Sequence, residues 1–338
     1  MAGEGQSLKI AQVNDVANVP STLAKGLQFL GHTVEVFPLK LVGARRPTWV
    51  KALLLPWRWQ ELRRLNQQIR AGQFQIIHLH FAYLGWAGIL GKYDYFLHCH
   101  GTDVRTNLYD PFRRPMIVRS LKRAKRAFYS TPDLREHVTS VRPDAVLIPN
   151  PIDTDQFRPA AQPAGRLDRR PRVLFISALS RVKGVERAFQ VIDLLQKQVP
   201  GVELAVVGFG DQAQHYTRWP GITVLPWVPY ADVPQVIQGF DVVVGQLRLG
   251  ILSMSELEGM ACGKPVVGEF RYPDTYDKAP PILTGDAPEE CAAQVMRLLD
   301  SATLRASGGE RSREWVVEHH DYRQVARLIE GYYAGTGV

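Results

Sequence analysis

Residues 255–267, SELEGMACGKPVV, decide how this chain folds. A helix starting near Ser255 ends at Gly263, because glycine accepts the left-handed backbone of a helix exit. The chain then passes directly into KPVVG, an apolar run short enough for a strand buried on both faces. Small residues along the helix, Gly259 and Ala261, permit close packing on a sheet. A helix emptying straight into a buried strand is half of an α/β crossover.

The alternation continues outward. Upstream lie VLFISAL (173–179), an amphipathic GVERAFQVIDLLQKQV (184–199), ELAVVG (203–208), ITVLP (222–226) and DVVVG (241–245). Farther upstream come KIAQV (9–13), STLAKGLQFLGH (21–32), TVEVF (33–37), QIIHLH (75–80), YFLHCH (95–100), AFYS (127–130) and AVLIPN (145–150). Between the series, RPAAQPAGRLDRRPR (158–172) reads as a linker. Downstream, ECAAQVMRLLD (290–300) precedes a terminal amphipathic helix within 313–333, with Val325, Leu328, Ile329 and Tyr332 at helical spacing. Near-continuous apolar strands separated by helices predict α/β architecture: two Rossmann-like doubly wound domains facing a cleft, with ligands beyond the strands' carboxyl ends. The division is 1–157, a linker at 158–172, 173–312, and a terminal helix in 313–338.

A length of 338 residues with 45% hydrophobic side chains supports two cores. No apolar run approaches the roughly 18–20 residues of a membrane span, and MAGEGQSLKIAQV lacks the regions of a secretory signal. A cytosolic location is expected. Cys99, Cys262 and Cys291 are scattered and odd in number, so they read as small buried hydrophobes in a reducing compartment.

The net charge of +8 is uneven: residues 1–160 carry 22 Lys+Arg against 12 Asp+Glu, and residues 161–338 carry 19 against 21. Two stretches hold much of the excess. TWVKALLLPWRWQELRRL (48–65) mixes three tryptophans with Lys51, Arg58, Arg63 and Arg64, and FRRPMIVRSLKRAKRAF (112–128) sets Ile117, Leu121, Ala124 and Phe128 on one stripe among seven basic residues. Two readings fit them: an anionic bilayer surface, or a core-facing stripe with a solvated back. No nucleic-acid reading motif accompanies the charges, so no nucleic acid partner is expected.

Several side chains could carry chemistry. ALSRVKG (178–184) follows a strand and opens a helix, placing Arg181 and Lys183 where phosphate oxygens could meet cations and helix N–H groups, although taken alone the stretch reads more simply as a solvated basic loop. VVGFGDQA (206–213) has dinucleotide-turn spacing, yet lacks the long helix and distal acid that such a turn requires. Glu256 and Glu258 stand in the first turns of their helix, where a carboxylate is favoured and can accept from a ribose diol. HLH (78–80) and HCH (98–100) put histidines in pairs at strand ends. Without Cys-x-x-Cys or Glu-x-x-His companions they predict no metal site. His100, Gly101, Thr102 and Asp103 read as a polar loop.

Taken in order, HGTD (100–103), IPNPIDTDQF (148–157), SALSRVKG (177–184), VVGFGD (206–211), LEGMACGKPVV (257–267) and DYRQVARLIEGYY (321–333) resemble the family 4 retaining glycosyltransferases, also called glycosyl transferases group 1, of GT-B fold. The resemblance spans nearly the whole chain. It implies a hexosyltransferase that needs no metal or cofactor and uses a nucleotide-sugar donor such as a UDP- or GDP-hexose. The donor would bind to the C-terminal domain and a lipid-linked or saccharide acceptor to the N-terminal one, with the last helix packing back toward the latter. Carried over by position, Lys183 and Arg181 meet the donor diphosphate, Glu258 the ribose hydroxyls, and Gly208, Gly210, Leu252 and Ser253 the nucleotide. His100 would touch the donor sugar, with Asp103 and Glu256 as further catalytic candidates.

Three positions depart from the family: Gly250 stands where a glutamate is usual, Ala178 where an arginine is usual, and NDVANVPST (14–22) lacks the usual glycines. The resemblance therefore leaves two expectations: a cytoplasmic enzyme, peripheral at the inner face of a membrane through 48–65 and 112–128, or a catalytically degenerate sugar- or nucleotide-binding partner.

Overall fold

The computed structural model describes residues 7–39, 53–160 and 171–335. The chain forms two compact units. One is built from residues up to Pro151 together with those from Tyr322 onward, the other from Ile152 to Asp321.

The first unit holds β1 (Lys9–Val13), β2 (Thr33–Phe37), β3 (Ile76–His80), β4 (Phe96–Cys99), β5 (Arg126–Tyr129) and β6 (Val146–Leu147), all parallel, in the order 2-1-3-4-5-6. Strand periodicity splits their side chains between two faces. Ala11, Val13, Ile77, Leu79, Leu97 and Cys99 form a core with Leu65 and Ile69 of the helix Leu55–Gly72 and with Ile117 and Leu121 of the helix Arg114–Arg123. Ile10, Ile76, Phe96 and Phe128 form the other core, with Leu23 and Leu27 of the helix Val19–Phe29 and with Val325, Ile329 and Tyr333 of the helix Tyr322–Ala334.

The second unit holds β7 (Arg172–Phe175), β8 (Glu203–Val207), β9 (Ile222–Leu225), β10 (Val242–Val244) and β11 (Val266–Val267), again all parallel, in the order 11-10-7-8-9. The helices Val185–Gln198 and Pro288–Asp300 contribute to one core and Met254–Ala261 and Ala302–His320 to another. Strand order reverses between β1 and β3 in the first sheet and between β7 and β10 in the second. Those are the switch points at which open α/β sheets take their ligands.

Three expectations change. The boundary falls at Pro151 rather than at 157, because Ile152 and Phe157 are fully buried in a core of the second unit. Residues 161–170 of the expected linker lie outside the described residues. The expected terminal helix is two helices, broken where Asp321 turns extended (φ −55, ψ 131). There Ile152 N–H donates to His320 O at 2.7 Å and the Thr154 hydroxyl donates to Asp321, so residues 313–320 stay with the second unit. Leu328 is largely exposed, leaving Val325, Ile329 and Tyr332 as the buried stripe.

Candidate functional site

At the switch point of the second unit the loops after β7 and β10 lock together. Gly184 (φ +81) is the N-cap of the helix Val185–Gln198, and a Cβ there would lie 2.9 Å from Arg248 Cβ and 3.1 Å from Leu247 O. Only glycine meets both demands. Leu247 N–H donates to Lys183 O at 3.0 Å, and the Arg248 guanidinium donates to Arg181 O at 3.2 Å. Arg181 and Arg248 are exposed, Lys183 is half-buried, and Arg181 lies 3.6 Å from Glu186. Three cations thus gather before a helix N-terminus, an arrangement that suits a diphosphate.

The loop after β8 closes on the same place. Leu179 N–H donates to Phe209 O at 2.8 Å and Gln212 N–H donates to Leu179 O at 2.9 Å. Gly210 (φ +136) makes this approach feasible, since any side chain would run into the Leu179 backbone; a Cβ on Gly208 would sit 3.0 Å from Leu225 O. Both glycines are therefore required by loop packing, whatever else they admit.

Residues 245–253 are organised by Gln246, which is buried. Its Oε1 accepts from Arg248 N (3.0 Å) and Leu249 N (2.5 Å), and its Nε2 donates to Ile251 O (2.8 Å) and Glu269 O (2.7 Å). Gly250 has φ +71, and a Cβ there would lie 3.0 Å from the Arg271 methylenes. The position is built for glycine: a glutamate would strain the backbone and displace Arg271.

Glu256 does not stand in for that glutamate. It is fully buried, and its Oε1 accepts from Gln246 N at 2.5 Å. Its Oε2 accepts from Ser253 N at 2.9 Å and from the Ser253 hydroxyl, closing a capping box. Both oxygens are committed to holding the loop and the helix start. Ser253 is the helix cap, and the Leu252 side chain belongs to the core, so neither offers a side chain to a nucleotide. Glu258, one turn in, accepts from Tyr230 Oη at 2.9 Å, and burial pushes its carboxyl up to about 8 despite that bond. It holds a proton at neutral pH.

In the first unit the loop after β1 reaches the switch point with Asn14 (φ 74), Ala17 (φ 52) and Asn18 (φ 59) in the left-handed region. The missing glycines have been replaced without changing the kind of backbone they favour. Asn14 Nδ2 donates to His80 O at 2.8 Å. Asp103, fully buried, accepts from Ala82 N (2.9 Å), Gly101 N (2.8 Å) and His100 N (3.1 Å). Burial pushes its carboxyl up and these N–H groups pull it down. Its oxygens tie the HGTD loop to the segment after β3, which makes it a positioning residue rather than a catalytic one.

Four imidazoles, His78, His80, His98 and His100, stack beside one another, with ring centroids 4.2 Å apart for His78 and His80 and 4.4 Å for His98 and His100. Burial drives all four below the usual histidine range, His100 to about 3, so all are neutral. His78, His80 and His98 bring nitrogens within 4.8 Å of one another, close enough to consider a metal. However, both His80 nitrogens are engaged, with Gln12 (2.6 Å) and His100 (2.8 Å), and His78 Nδ1 is engaged with Tyr333 Oη (2.7 Å). The donor set is one imidazole short. Gln12 and Tyr333 escaped the sequence reading. The available signal was a glutamine inside the apolar strand KIAQV, where every buried polar group needs a partner.

The two basic stretches separate. Ile117, Leu121, Ala124 and Phe128 are all buried, so the stripe in 112–128 faces the core and runs from a helix into β5. In 48–65, residues 48–52 lie outside the described residues, while Leu55, Trp57 and Trp59 are exposed at the start of the helix Leu55–Gly72. No described helix is long and apolar enough to cross a membrane.

Comparison with known proteins agrees with this architecture. The model of Glycosyltransferase Family 4 matches residues 16–156 and that of Glycosyl transferases group 1 matches residues 170–301. A GDP-mannose-dependent alpha-(1-6)-phosphatidylinositol monomannoside mannosyltransferase of Mycolicibacterium smegmatis is 27% identical over 215 residues, covering 56% of each chain. An uncharacterised glycosyltransferase of Methanocaldococcus jannaschii is 23% identical over 170 residues, 46% of this chain and 43% of that one. The chain spans about half the length of the curated relatives it matches. Among solved structures, a sucrose-phosphate synthase of Thermosynechococcus elongatus superposes with a TM-score of 0.73 at 16% identity, covering 97% of this chain and 98% of that one. Anabaena HepE in complex with UDP and glucose gives 0.71 at 16% identity, covering 97% and 99%. Two parallel-sheet Rossmann-like units, the matched models and these neighbours together make the chain a member of the family 4 glycosyltransferases of GT-B fold.

Proposed function

We propose that the protein moves a hexose from a nucleotide-diphosphate sugar, such as a UDP- or GDP-hexose, to a lipid-linked or saccharide acceptor, with retained configuration and without a metal ion. One observation carries the reading: Arg181, Lys183 and Arg248 gather at the strand-order reversal of the second unit, before the N-terminus of the helix Val185–Gln198. Departure of the leaving group puts negative charge on a diphosphate and positive charge on the sugar. Cations and helix N–H groups fixed beforehand where the diphosphate lies lower that barrier. Glu258 takes the ribose diol, exchanging its proton for two accepted hydrogen bonds, and His100 touches the transferred sugar.

The acceptor belongs to the first unit, where Trp57 and Trp59 are exposed, Arg63 stacks over Trp59 at 5.5 Å, and a groove of about 490 Å³ is lined by Trp59, Arg63, Asn66 and Arg70. Aromatic rings beside guanidinium groups fit a lipid-linked acceptor at an anionic membrane surface, hence a peripheral cytoplasmic protein. The mycobacterial relative, named as a phosphatidylinositol monomannoside mannosyltransferase, supports this choice.

Incubation with UDP-, GDP- and ADP-sugars in EDTA tests the proposal. Donor hydrolysis or transfer that persists in the chelator, with the product anomer matching the donor, is the expected result. Silence across the panel would sink it. A second reading, a donor-binding partner protein without turnover, is favoured by Gly250 and by the commitment of Glu256 to its capping box. Calorimetric donor binding with no hydrolysis would select it.

A further inference from the structure

Five polar side chains of the first unit, Gln12, His78, His80, His100 and Tyr333, form one continuous line of hydrogen bonds. It runs from His78 Nδ1 to Tyr333 Oη (2.7 Å), from Tyr333 Oη to Gln12 Nε2 (3.3 Å), from Gln12 Oε1 to His80 Nε2 (2.6 Å), and from His80 Nδ1 to His100 Nε2 (2.8 Å). It joins β1, β3, the loop after β4 and the helix Tyr322–Ala334. We infer that Gln12, acting through His80, sets the tautomer of His100 and leaves its Nδ1 as a bare acceptor for a sugar hydroxyl.

The proton positions follow from the amide. Gln12 Oε1 can only accept, so His80 carries its proton on Nε2. A neutral His80 then has an unprotonated Nδ1, which can only accept, so His100 donates from Nε2–H. A neutral His100 is left with a bare Nδ1, which has no partner among the described residues. At the other end, Gln12 Nε2 donates to Tyr333 Oη, and the tyrosine hydroxyl donates to His78 Nδ1. Every link has one donor and one acceptor.

The surroundings keep the line in this state. Gln12, His78 and His80 are fully buried and the faces of the imidazoles are covered by one another. Asp103, the acid nearest His100 in sequence, is occupied by backbone N–H groups, so no free carboxylate faces the ring from its own loop. An imidazole held neutral, with one nitrogen pinned, presents a fixed acceptor rather than a rotating mixture of donor and acceptor. Gln12 and His80 are thus positioning residues. The inference rests on the proposed contact of His100 with the transferred sugar, but the tautomer is measurable without it.

Long-range 1H–15N correlation on protein labelled at histidine reads the assignment directly, with His100→Ala identifying the resonances. His100 protonated at Nε2 and bare at Nδ1 is expected; the opposite tautomer overturns the inference. In Gln12→Leu the amide that biases His80 is gone, so His100 should become a mixture of tautomers. Hydrolysis of UDP-glucose or GDP-mannose, whichever is turned over, should lose about tenfold in kcat with KM little changed, the worth of one misdirected hydrogen bond. An unchanged His100 tautomer in Gln12→Leu also overturns it. If that variant misfolds, His80→Phe, which removes the link from the other side of the line, serves the same reading. A shifted tautomer with undiminished kcat would uphold the hydrogen-bonded line and remove His100 from the sugar.

Discussion

In the first unit, three buried imidazoles and the half-buried His100 near the switch point stay neutral and stack on one another. In the second, the corresponding strand ends collect Arg181, Lys183 and Arg248 around a helix N-terminus, and Glu258 is buried with its proton on. The same kind of parallel sheet therefore ends once in a neutral hydrogen-bonded plug and once in a cationic rim. A rim attracts an anion and can release it; a plug keeps donor and acceptor directions fixed. The two ends also respond oppositely to pH, and that difference can be tested.

The largest effect should come from acid. Because the folded pKa values of the four histidines lie below the unfolded value of 6.5, their contribution is complete above that value. It is lost as pH falls toward the folded values. Each proton taken up on unfolding costs about 1.4 kcal/mol per pH unit, so four cost about 5 kcal/mol per unit below pH 6. Asp103, whose carboxyl is pushed up, offsets part of this. Urea midpoints measured between pH 7 and 4.5 should fall steeply, and His98→Phe should reduce the slope by about a quarter. A flat profile would break the contrast at its neutral end.

Lys183→Ala should cost roughly a hundredfold to a thousandfold in kcat with little change in stability, because it removes one fixed cation from the leaving diphosphate. Full activity in that variant would move the diphosphate elsewhere.

Glu258 tests the other pH arm. Its folded pKa of about 8 lies above the usual 4.5, so protonation favours the folded state, and stability declines as pH rises through 8. Nucleotide binding that needs the carboxylate should tighten by about tenfold between pH 7 and 8.5, since one unit of pH changes the ionised fraction by up to that factor. Glu258→Gln should flatten this dependence in calorimetry and be the more stable form at pH 9.

The smallest effect is expected at Ala17, whose left-handed backbone (φ 52) glycine would adopt without strain. Ala17→Gly should raise stability by about 1 kcal/mol in thermal unfolding. A loss of that size would mean that entropy in the unfolded chain outweighs the strain.

Much of the rim was legible. Arg181, Lys183 and Gly184 follow a strand and open a helix, a local arrangement that propensity and spacing reveal. Gly210 was legible as a turn, though what it admits is the Leu179 backbone. The plug was legible only as two pairs of histidines at strand ends, because its members come from β1, β3, the end of β4 and the last helix. A glutamine at position 12 and a tyrosine at 333 share no local pattern. Glu256 shows the converse error: a carboxylate in a helix's first turn is equally apt for a ligand and for a cap, and only the positions of Gln246 N and Ser253 N decide which.

By itself the sequence determined the strand–helix alternation, the doubly wound class and the cationic loop, because each rests on residues near one another in the chain. Tertiary structure alone decided that the terminal helix breaks at Asp321, that Gly250 is occupied by Arg271 rather than left empty, and which carboxylates are spent on backbone N–H groups. Those outcomes depend on which strand ends lie side by side, and hydrogen bonds across 66 to 321 residues of sequence carry no local signature.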